Sequence, residues 1–427
     1  MIEIVRASGV RPESLRTRQQ ALSESADRAA REIIERVSAE GDRAVLELTE
    51  RFDGAKLSTL PVTEGEFLEA EEKTDPALKE LLARAAENIR AFHSHQARTG
   101  FMVSDRPGTV LGQIIRPLER VGMYVPGGTA SYPSSVLMNA IPPEIAGVRE
   151  RVIVTPPGRD GKIAPAILTA ARIAGVGRVF KCGGAQAVAA LAYGTESIPK
   201  VDKIVGPGNA YVAAAKRRVY GLVDIDMIAG PSEILVIADG PRDARAIACD
   251  MLAQAEHDPL AAAILLTPSE GLALLVQSLI EAELARMPRA EIARKSIDMN
   301  GRIVLVRDLS EAVALSNLIA PEHLELCVDE PFHLLGAVRN AGSVFLGRNA
   351  PEALGDYWAG PNHTLPTGGA ARFSSPLSVD DFLKKTQYIS YDRAALMGAK
   401  DSIVRLAEAE GLYAHARSVE VRFQEEA

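Results

Sequence analysis

Two periods divide the chain. Between residues 12 and 50, apolar and small side chains recur every three or four positions, through Ala26, Ala29, Ile33, Ile34 and Val37, with charges between them. That spacing lays one apolar stripe along a helix. Gly41-Asp42 interrupts the stripe, and Ala44-Val45-Leu46-Glu47-Leu48 resumes it. A second helical zone runs from about Glu64 to Arg98. His93 and His95 sit two apart in it and do not share a helix face, so both read as solvated side chains, not as ligands.

From Thr109 the pattern shortens. Val110-Leu111-Gly112-Gln113-Ile114-Ile115 and Val121-Gly122-Met123-Tyr124-Val125 read as strands. They lead into a glycine loop, Pro126-Gly127-Gly128-Thr129-Ala130-Ser131-Tyr132-Pro133, and a helix with Ser134-Ser135 near its start. Strand and helix then alternate: Val152-Ile153-Val154-Thr155, helix 163–174, Val179-Phe180, helix 185–193, Ile204-Val205, helix 209–220. A second run follows: Ile234-Leu235-Val236-Ile237, helix 242–257, Ala263-Ile264-Leu265-Leu266, helix 269–286, Ile303-Val304-Leu305-Val306, helix 309–319, and a last strand Ser343-Val344-Phe345-Leu346. This rhythm predicts parallel sheets covered by helices. The expected class is α/β, with two Rossmann-like parallel-sheet domains and small helical elements at either end. Boundaries are expected near 124, where the glycine loop opens, and near Gly230-Pro231; the tail from about Leu377 reads as mostly helical and polar.

One stretch fits neither period. Leu354-Gly355-Asp356-Tyr357-Trp358-Ala359-Gly360-Pro361-Asn362-His363-Thr364-Leu365-Pro366-Thr367-Gly368-Gly369 has too many Gly and Pro for a helix or a central strand. It holds a carboxylate, an imidazole and the only Trp of the chain. A shaped loop of this kind is where sites sit on a rigid scaffold; the plain alternative is a surface turn.

Composition narrows the partners. A chain of 427 residues, 47% hydrophobic and 24% charged, has the make-up of a soluble globular protein with a large core. The net charge of −8, with acids and bases interspersed, argues against nucleic acid as a partner. No apolar run reaches the roughly 18 residues of a membrane span, and Met1-Ile2-Glu3-Ile4-Val5-Arg6 lacks a signal-peptide pattern, so a cytoplasmic protein is expected. Cys182, Cys249 and Cys327 are far apart and form no CxxC, which predicts buried, reduced thiols. A sharper role, Cys182 as a nucleophile toward an aldehyde, lacks a local His or Asp to support it.

Candidate chemistry gathers in four places. Gln254 and His257 lie three apart at the end of helix 242–257, on one face, just before Pro259 stops the helix. An amide oxygen and an imidazole nitrogen are acceptable ligands for zinc or manganese. In Ala320-Pro321-Glu322-His323 a carboxylate and an imidazole stand side by side behind a proline, which suits general acid–base work; a turn before a strand is the plain reading. Asp356 and His363 lie in the shaped loop, and His415 lies in Glu410-Gly411-Leu412-Tyr413-Ala414-His415. The glycine turns are less telling. Gly175-Val176-Gly177 and Gly206-Pro207-Gly208-Asn209 both lack the third glycine of a dinucleotide fingerprint, although the second links a strand to a helix where amides can hold phosphate.

Together these stretches resemble the histidinol dehydrogenase family. The matching pieces are Val125-Pro126-Gly127-Gly128, Gly183-Gly184-Ala185-Gln186-Ala187, Gly206-Pro207-Gly208-Asn209-Ala210, Ala229-Gly230-Pro231-Ser232-Glu233, Gln254-Ala255-Glu256-His257, Ala320-Pro321-Glu322-His323-Leu324-Glu325, Gly360-Pro361-Asn362-His363-Thr364-Leu365-Pro366-Thr367 and Glu410-Gly411-Leu412, in order along nearly the whole chain. The resemblance implies a cytoplasmic homodimeric oxidoreductase of histidine biosynthesis with one zinc per subunit. It would oxidise L-histidinol to L-histidine in two NAD-dependent steps through bound L-histidinaldehyde. Carried over residue by residue, the metal ligands fall on Gln254, His257, Asp356 and His415. The acid–base pair falls on Glu322 and His323. Substrate contacts fall on Ser232, His323, His363 and Glu410 together with the metal ligands, and NAD contacts on Tyr124, Gln186 and Asn209.

The implied layout is an N-terminal helical arm (1–20), a discontinuous main α/β domain (21–123 and 234–376), an NAD-binding α/β domain (124–233) and a small C-terminal domain (377–427) whose Glu410 and His415 complete the partner's site. Two alternatives compete. A paralogue could keep zinc and NAD but oxidise another small alcohol, such as a dihydroxypropane sulfonate; it would need an anion-binding Arg or Lys where Glu410 and His363 stand. A small-molecule binding protein that has lost catalysis would have no use for the intact Glu322-His323 pair.

Overall fold

The computed structural model describes residues 1–9, 11, 15, 24–127 and 131–424. The first part of the helix expected over 12–50, and residues 128–130 of the glycine loop, fall outside the described residues. In chain order the elements are β1 (Glu3–Arg6), α1 (Glu24–Glu40), α2 (Asp42–Asp53), α3 (Glu64–Lys73), α4 (Pro76–Ser94), β2 (Phe101–Val103), β3 (Thr109–Pro117) and β4 (Arg120–Tyr124). Then come α5 (Pro133–Ala146), β5 (Glu150–Thr155), α6 (Pro165–Ile173), β6 (Arg178–Lys181), α7 (Gly184–Tyr193), β7 (Lys203–Val205), α8 (Ala210–Val219) and β8 (Asp224–Ile225). The next are β9 (Glu233–Ala238), α9 (Ala244–Ala255), β10 (Ala262–Thr267), α10 (Glu270–Leu284), α11 (Ala290–Asn300), β11 (Arg302–Leu305), α12 (Leu309–Ile319) and β12 (His323–Cys327). Last are α13 (Pro331–Leu335), β13 (Ser343–Leu346), α14 (Glu352–Tyr357), β14 (Leu383–Tyr391), α15 (Arg393–Ala409) and α16 (Tyr413–Glu420).

The α/β class is as expected. Two parallel sheets run β6-β5-β4-β7-β8 and β1-β11-β10-β9-β12-β13. Apart from β1, each follows the same order when strands are counted within the sheet: third, second, first, fourth, fifth. The chain starts mid-sheet, builds one side, then crosses to the other. That crossing opens a crevice at the carboxyl ends, between β4 and β7 in one sheet and between β9 and β12 in the other. The strands are buried on both faces, so Glu233–Ala238 and Ala262–Thr267 read as continuous apolar runs.

Several expectations are corrected. The opening residues are not part of a helical arm: Glu3–Arg6 is an edge strand paired with β11. The helices of 24–94, expected with the six-stranded sheet, pack mainly on the helices of the five-stranded one. Helix α1 lies on α7 and α8, α3 on α6, and α4 on α5. Ile33, Ile34, Val37, Val45 and Leu48 join Val188, Leu191 and Val212 in one core. An amphipathic stripe says that a face is buried, not against which sheet. His93 is also buried, with its Nδ1 2.7 Å from Gln96 Oε1. It continues the stripe Leu82, Ala85, Ala86, Ile89, a helical spacing that was legible.

Ala97–Pro117 and Leu383–Ala427 form a compact unit of their own, separate from Met1–Gln96 and Leu118–Phe382. Within it, β14, β3 and β2 make an antiparallel sheet, and α15 and α16 follow. The tail is therefore not mostly helical at its start. Strand β14, LKKTQYISY, carries no buried side chain and gives no alternating signal. Among the described residues, no helix is long and apolar enough to cross a membrane.

The turn after β7 is held from beneath. Gly206 adopts φ +111°, and a Cβ there would strike the Tyr124 carbonyl oxygen. Its N–H donates to Asp226 Oδ2 (2.7 Å), while Lys216 Nζ donates to the Gly206 carbonyl (3.0 Å) and pairs with Asp226 Oδ1. Both partners are almost wholly buried. Removing one charge strands the other in low dielectric. Lys216→Met should cost about 3–5 kcal/mol and lower the thermal midpoint accordingly; an unchanged midpoint would show that this pair does not hold the turn.

Candidate functional site

Two opposite edges carry the chemistry-bearing residues. At the carboxyl edge of the five-stranded sheet, Tyr124 ends β4, Gln186 lies in the first turn of α7, and Asn209 caps α8. The Tyr124 hydroxyl is buried, pushed up to about 12 by desolvation, and accepts from the Gly184 N–H (3.1 Å). Gln186 is 1% exposed, and its Oε1 has no hydrogen-bond partner. A buried orphan acceptor of this kind is costly unless a ligand meets it. Asn209 Oδ1 is occupied as a cap, accepting from Tyr211 N (3.0 Å) and Val212 N (3.1 Å). A cleft of about 790 Å³ opens by this edge, lined by Asp53, Gly127, Pro156, Lys162 and others.

The second group lies at the amino edge of the six-stranded sheet. Here β9 and β12 begin with Glu233 and His323, and α9, running back, brings Gln254 down to the same edge. The link between the two groups is direct. Ser135, near the start of α5, lies 3.3 Å from His363 Nε2, and Asn362 Nδ2 donates to the Met138 carbonyl (2.7 Å).

The centre of this edge is crowded with acids. Glu322 is 5% exposed and accepts from the Glu233 N–H (2.9 Å) and from the Ser232 hydroxyl. His323 is 4% exposed, with Nδ1 3.2 Å from the Glu233 carbonyl and 3.7 Å from both Glu322 Oε2 and Glu352 Oε1. Its ring lies against Phe345 at 6.0 Å. Burial drives both acids, Glu322 and Glu352, well above the usual carboxylate range. The same burial pushes His323 down to about 4, so its imidazole is neutral near pH 7. Burial likewise lowers His363, whose Nδ1 stands 3.8 Å from Asp356 Oδ1.

Ligand atoms of His323, Glu352 and Asp356 all lie within 4.8 Å of one another, close enough to surround one metal ion. Gln254 joins this group to His257. With its amide turned to satisfy both ends, Nε2 donates to Glu352 (2.9 and 3.1 Å) and Oε1 accepts from His257 Nδ1 (3.1 Å). The oxygen and nitrogen donors present suit zinc.

Of the residues picked out from sequence, this unit gathers Ser232, Gln254, His257, Glu322, His323, Asp356 and His363 at one edge. Glu410 and His415 are exposed side chains of the separate C-terminal unit, at the end of α15 and on α16. Glu352 was missed. It stands four residues before Asp356, on the same helix face, and that spacing was its only signal.

The cysteines divide. Cys182 is fully buried, and burial raises its thiol far above the range of a reactive thiolate, which leaves the nucleophile reading without support. Cys327 is buried as expected, but Cys249 is exposed.

Comparison with known proteins shows the family. A sequence model of the histidinol dehydrogenase family matches residues 16–423. The histidinol dehydrogenase of Syntrophotalea carbinolica is 57% identical over 404 residues, covering 94% of each chain. That of Bacillus anthracis is 55% identical over 412 residues, 96% of each. The crystal structure of histidinol dehydrogenase from Elizabethkingia anophelis superposes with a TM-score of 0.93 at 37% identity, over 99% of this chain and 98% of that one. The chain therefore belongs to the histidinol dehydrogenase family of oxidoreductases.

Proposed function

We propose that the protein oxidises L-histidinol to L-histidine through bound L-histidinaldehyde, with zinc and NAD, in histidine biosynthesis. One observation carries this reading. A neutral buried imidazole, His323, stands between two buried carboxyl groups at a cluster of oxygen and nitrogen donors. When bound, NAD would take the hydride of each oxidation, and zinc would hold the substrate's nitrogen groups as a template. Gln254, His257 and Asp356 would supply three of the metal's ligands, and His415 of a second copy the fourth.

The chain's own groups account for the protons. His323, kept neutral by burial, accepts the alcohol proton as the carbonyl forms. Glu322, whose ionised form is held against burial by the Glu233 N–H and the Ser232 hydroxyl, takes a proton from water as it adds to the aldehyde carbon. His323, having passed its first proton to solvent, takes the hydroxyl proton of the hydrate as the second hydride leaves, and the product is the carboxylate. Ser232 and the Glu233 N–H orient Glu322, and His363 is placed by Ser135 and Asp356 to meet the substrate. The groups around this space are acids, imidazoles, an amide and hydroxyls. They suit a substrate bearing an ammonium and an imidazole, whereas a sulfonate would meet like charge.

The carboxyl edge of the five-stranded sheet is the proposed NAD site. It lies at the strand crossing where such folds take nucleotides, and the orphan oxygen of Gln186 awaits a donor there. The functional molecule is proposed to be a cytoplasmic homodimer, in which Glu410 and His415 serve the second copy's site.

Two variants separate the proton roles. His323→Asn should lower kcat by about 10²- to 10⁴-fold while zinc content is unchanged; lost zinc would contradict a base role. Glu322→Gln should slow oxidation of supplied histidinaldehyde more than that of histidinol. Equal slowing would remove its role toward water. Sharing of sites has its own check. Inactive His323→Asn and His415→Ala chains, mixed and reassociated, should regain activity up to about a quarter of the wild-type level, since one of the two sites in a mixed dimer is then intact. No recovery on mixing, with mixed dimers shown by mass, would mean each chain completes its own site.

A further inference from the structure

Glu352 has no part in the proton steps above, yet it is among the most enclosed acids of the protein, 3% exposed. Its backbone N–H donates to Glu325 Oε1 (2.8 Å), which fixes the start of α14. With the Gln254 amide turned to satisfy both ends, its nitrogen lies 2.9 and 3.1 Å from the two Glu352 oxygens and 3.3 Å from His323 Nδ1. An amide presents a donor on one side and an acceptor on the other. Only the oxygen can ligate a metal; the NH₂ nitrogen cannot. At Gln254 the choice between them is therefore the choice between a ligand and a bystander.

We propose that Glu352 is a positioning residue that turns the Gln254 amide so that its oxygen, not its nitrogen, faces the metal. A carboxyl group in this place accepts from the amide N–H₂ through whichever oxygen is free. The amide oxygen is then directed to the opposite side, where His257 Nδ1 stands 3.1 Å away. Two donor atoms on one tetrahedral zinc, each about 2.0–2.1 Å from it, are roughly 3.3 Å apart. Metal binding would displace the His257 Nδ1 proton, and the oxygen and nitrogen set by Glu352 would then stand near the spacing of neighbouring ligands. Outer partners that orient a ligand in this way typically govern metal affinity by about 10- to 100-fold.

This inference rests on the zinc reading given above. Its test is zinc affinity, measured by competition with a chromogenic chelator on the full-length protein, with no turnover involved. Glu352→Gln keeps the shape but offers Gln254 either an N–H₂ or an oxygen, so the amide is no longer held one way. Zinc should bind about 10- to 100-fold more weakly. The double variant Glu352→Gln with Gln254→Glu should recover at least half of that loss on a logarithmic scale: the new amide at position 352 donates to one oxygen of the new carboxylate, and the other oxygen faces the metal whichever way the carboxylate turns. Simple loss of packing at Glu352 would not be repaired by a change at position 254.

Three results would overturn the proposal: wild-type affinity in Glu352→Gln, no recovery in the double variant, or a zinc-loaded crystal structure with a Glu352 oxygen itself about 2.0–2.2 Å from the metal. The crystal structure needs no variant and serves if Glu352→Gln does not fold. Wild-type protein that binds no zinc would remove the metal reading and this inference together. Unchanged affinity in Glu352→Gln alone removes only this inference.

Discussion

Everything at the amino edge of the six-stranded sheet answers to one constraint: several carboxyl groups are buried together there. Glu233, Glu322, Glu325 and Glu352 are each under 6% exposed, and Asp356 stands beside them. Taking one carboxylate out of water is costly; taking several into one site is more so, because each opposes ionisation of the next. Protons answer part of the demand. Burial holds Glu325 up to about 8 and its neighbour Asp250 up to about 6. A divalent cation would answer the rest, and the same charge crowding that costs stability is what would hold it. The proposed proton chemistry rests on the same enclosure, which keeps His323 neutral and raises Glu322 above the usual carboxylate range.

The fold supplies this enclosure by using the same strand order twice and opposite edges of its two sheets. The five-stranded sheet offers the carboxyl edge usual for nucleotides. The six-stranded sheet offers its amino edge, where two strand starts and one helix end converge. Asn362, His363 and Ser135 tie the two edges together. A hydride acceptor on one side and proton acceptors on the other would then face a single substrate.

Much of this was legible in the sequence. Central strands announced themselves as apolar runs because both faces are covered, and Gln254/His257 and Glu322/His323 stood out by spacing and by the proline before or after them. What was not legible depended on tertiary choice. The stripe of Ile33, Ile34 and Val37 showed a buried face but not that α7 and α8 receive it. Strand β14 is exposed along its length and so has no period to read. Glu352 sat just before the Gly- and Pro-rich stretch, in a helix turn too short to show a stripe, and only packing revealed its contact with Gln254.

The most direct measurement is the number of NADH formed per histidinol consumed by the purified protein, with and without a strong chelator. This account predicts two NADH per histidinol, abolished by chelation and restored by added zinc. One NADH per histidinol with free aldehyde released, or turnover indifferent to the chelator, would contradict it.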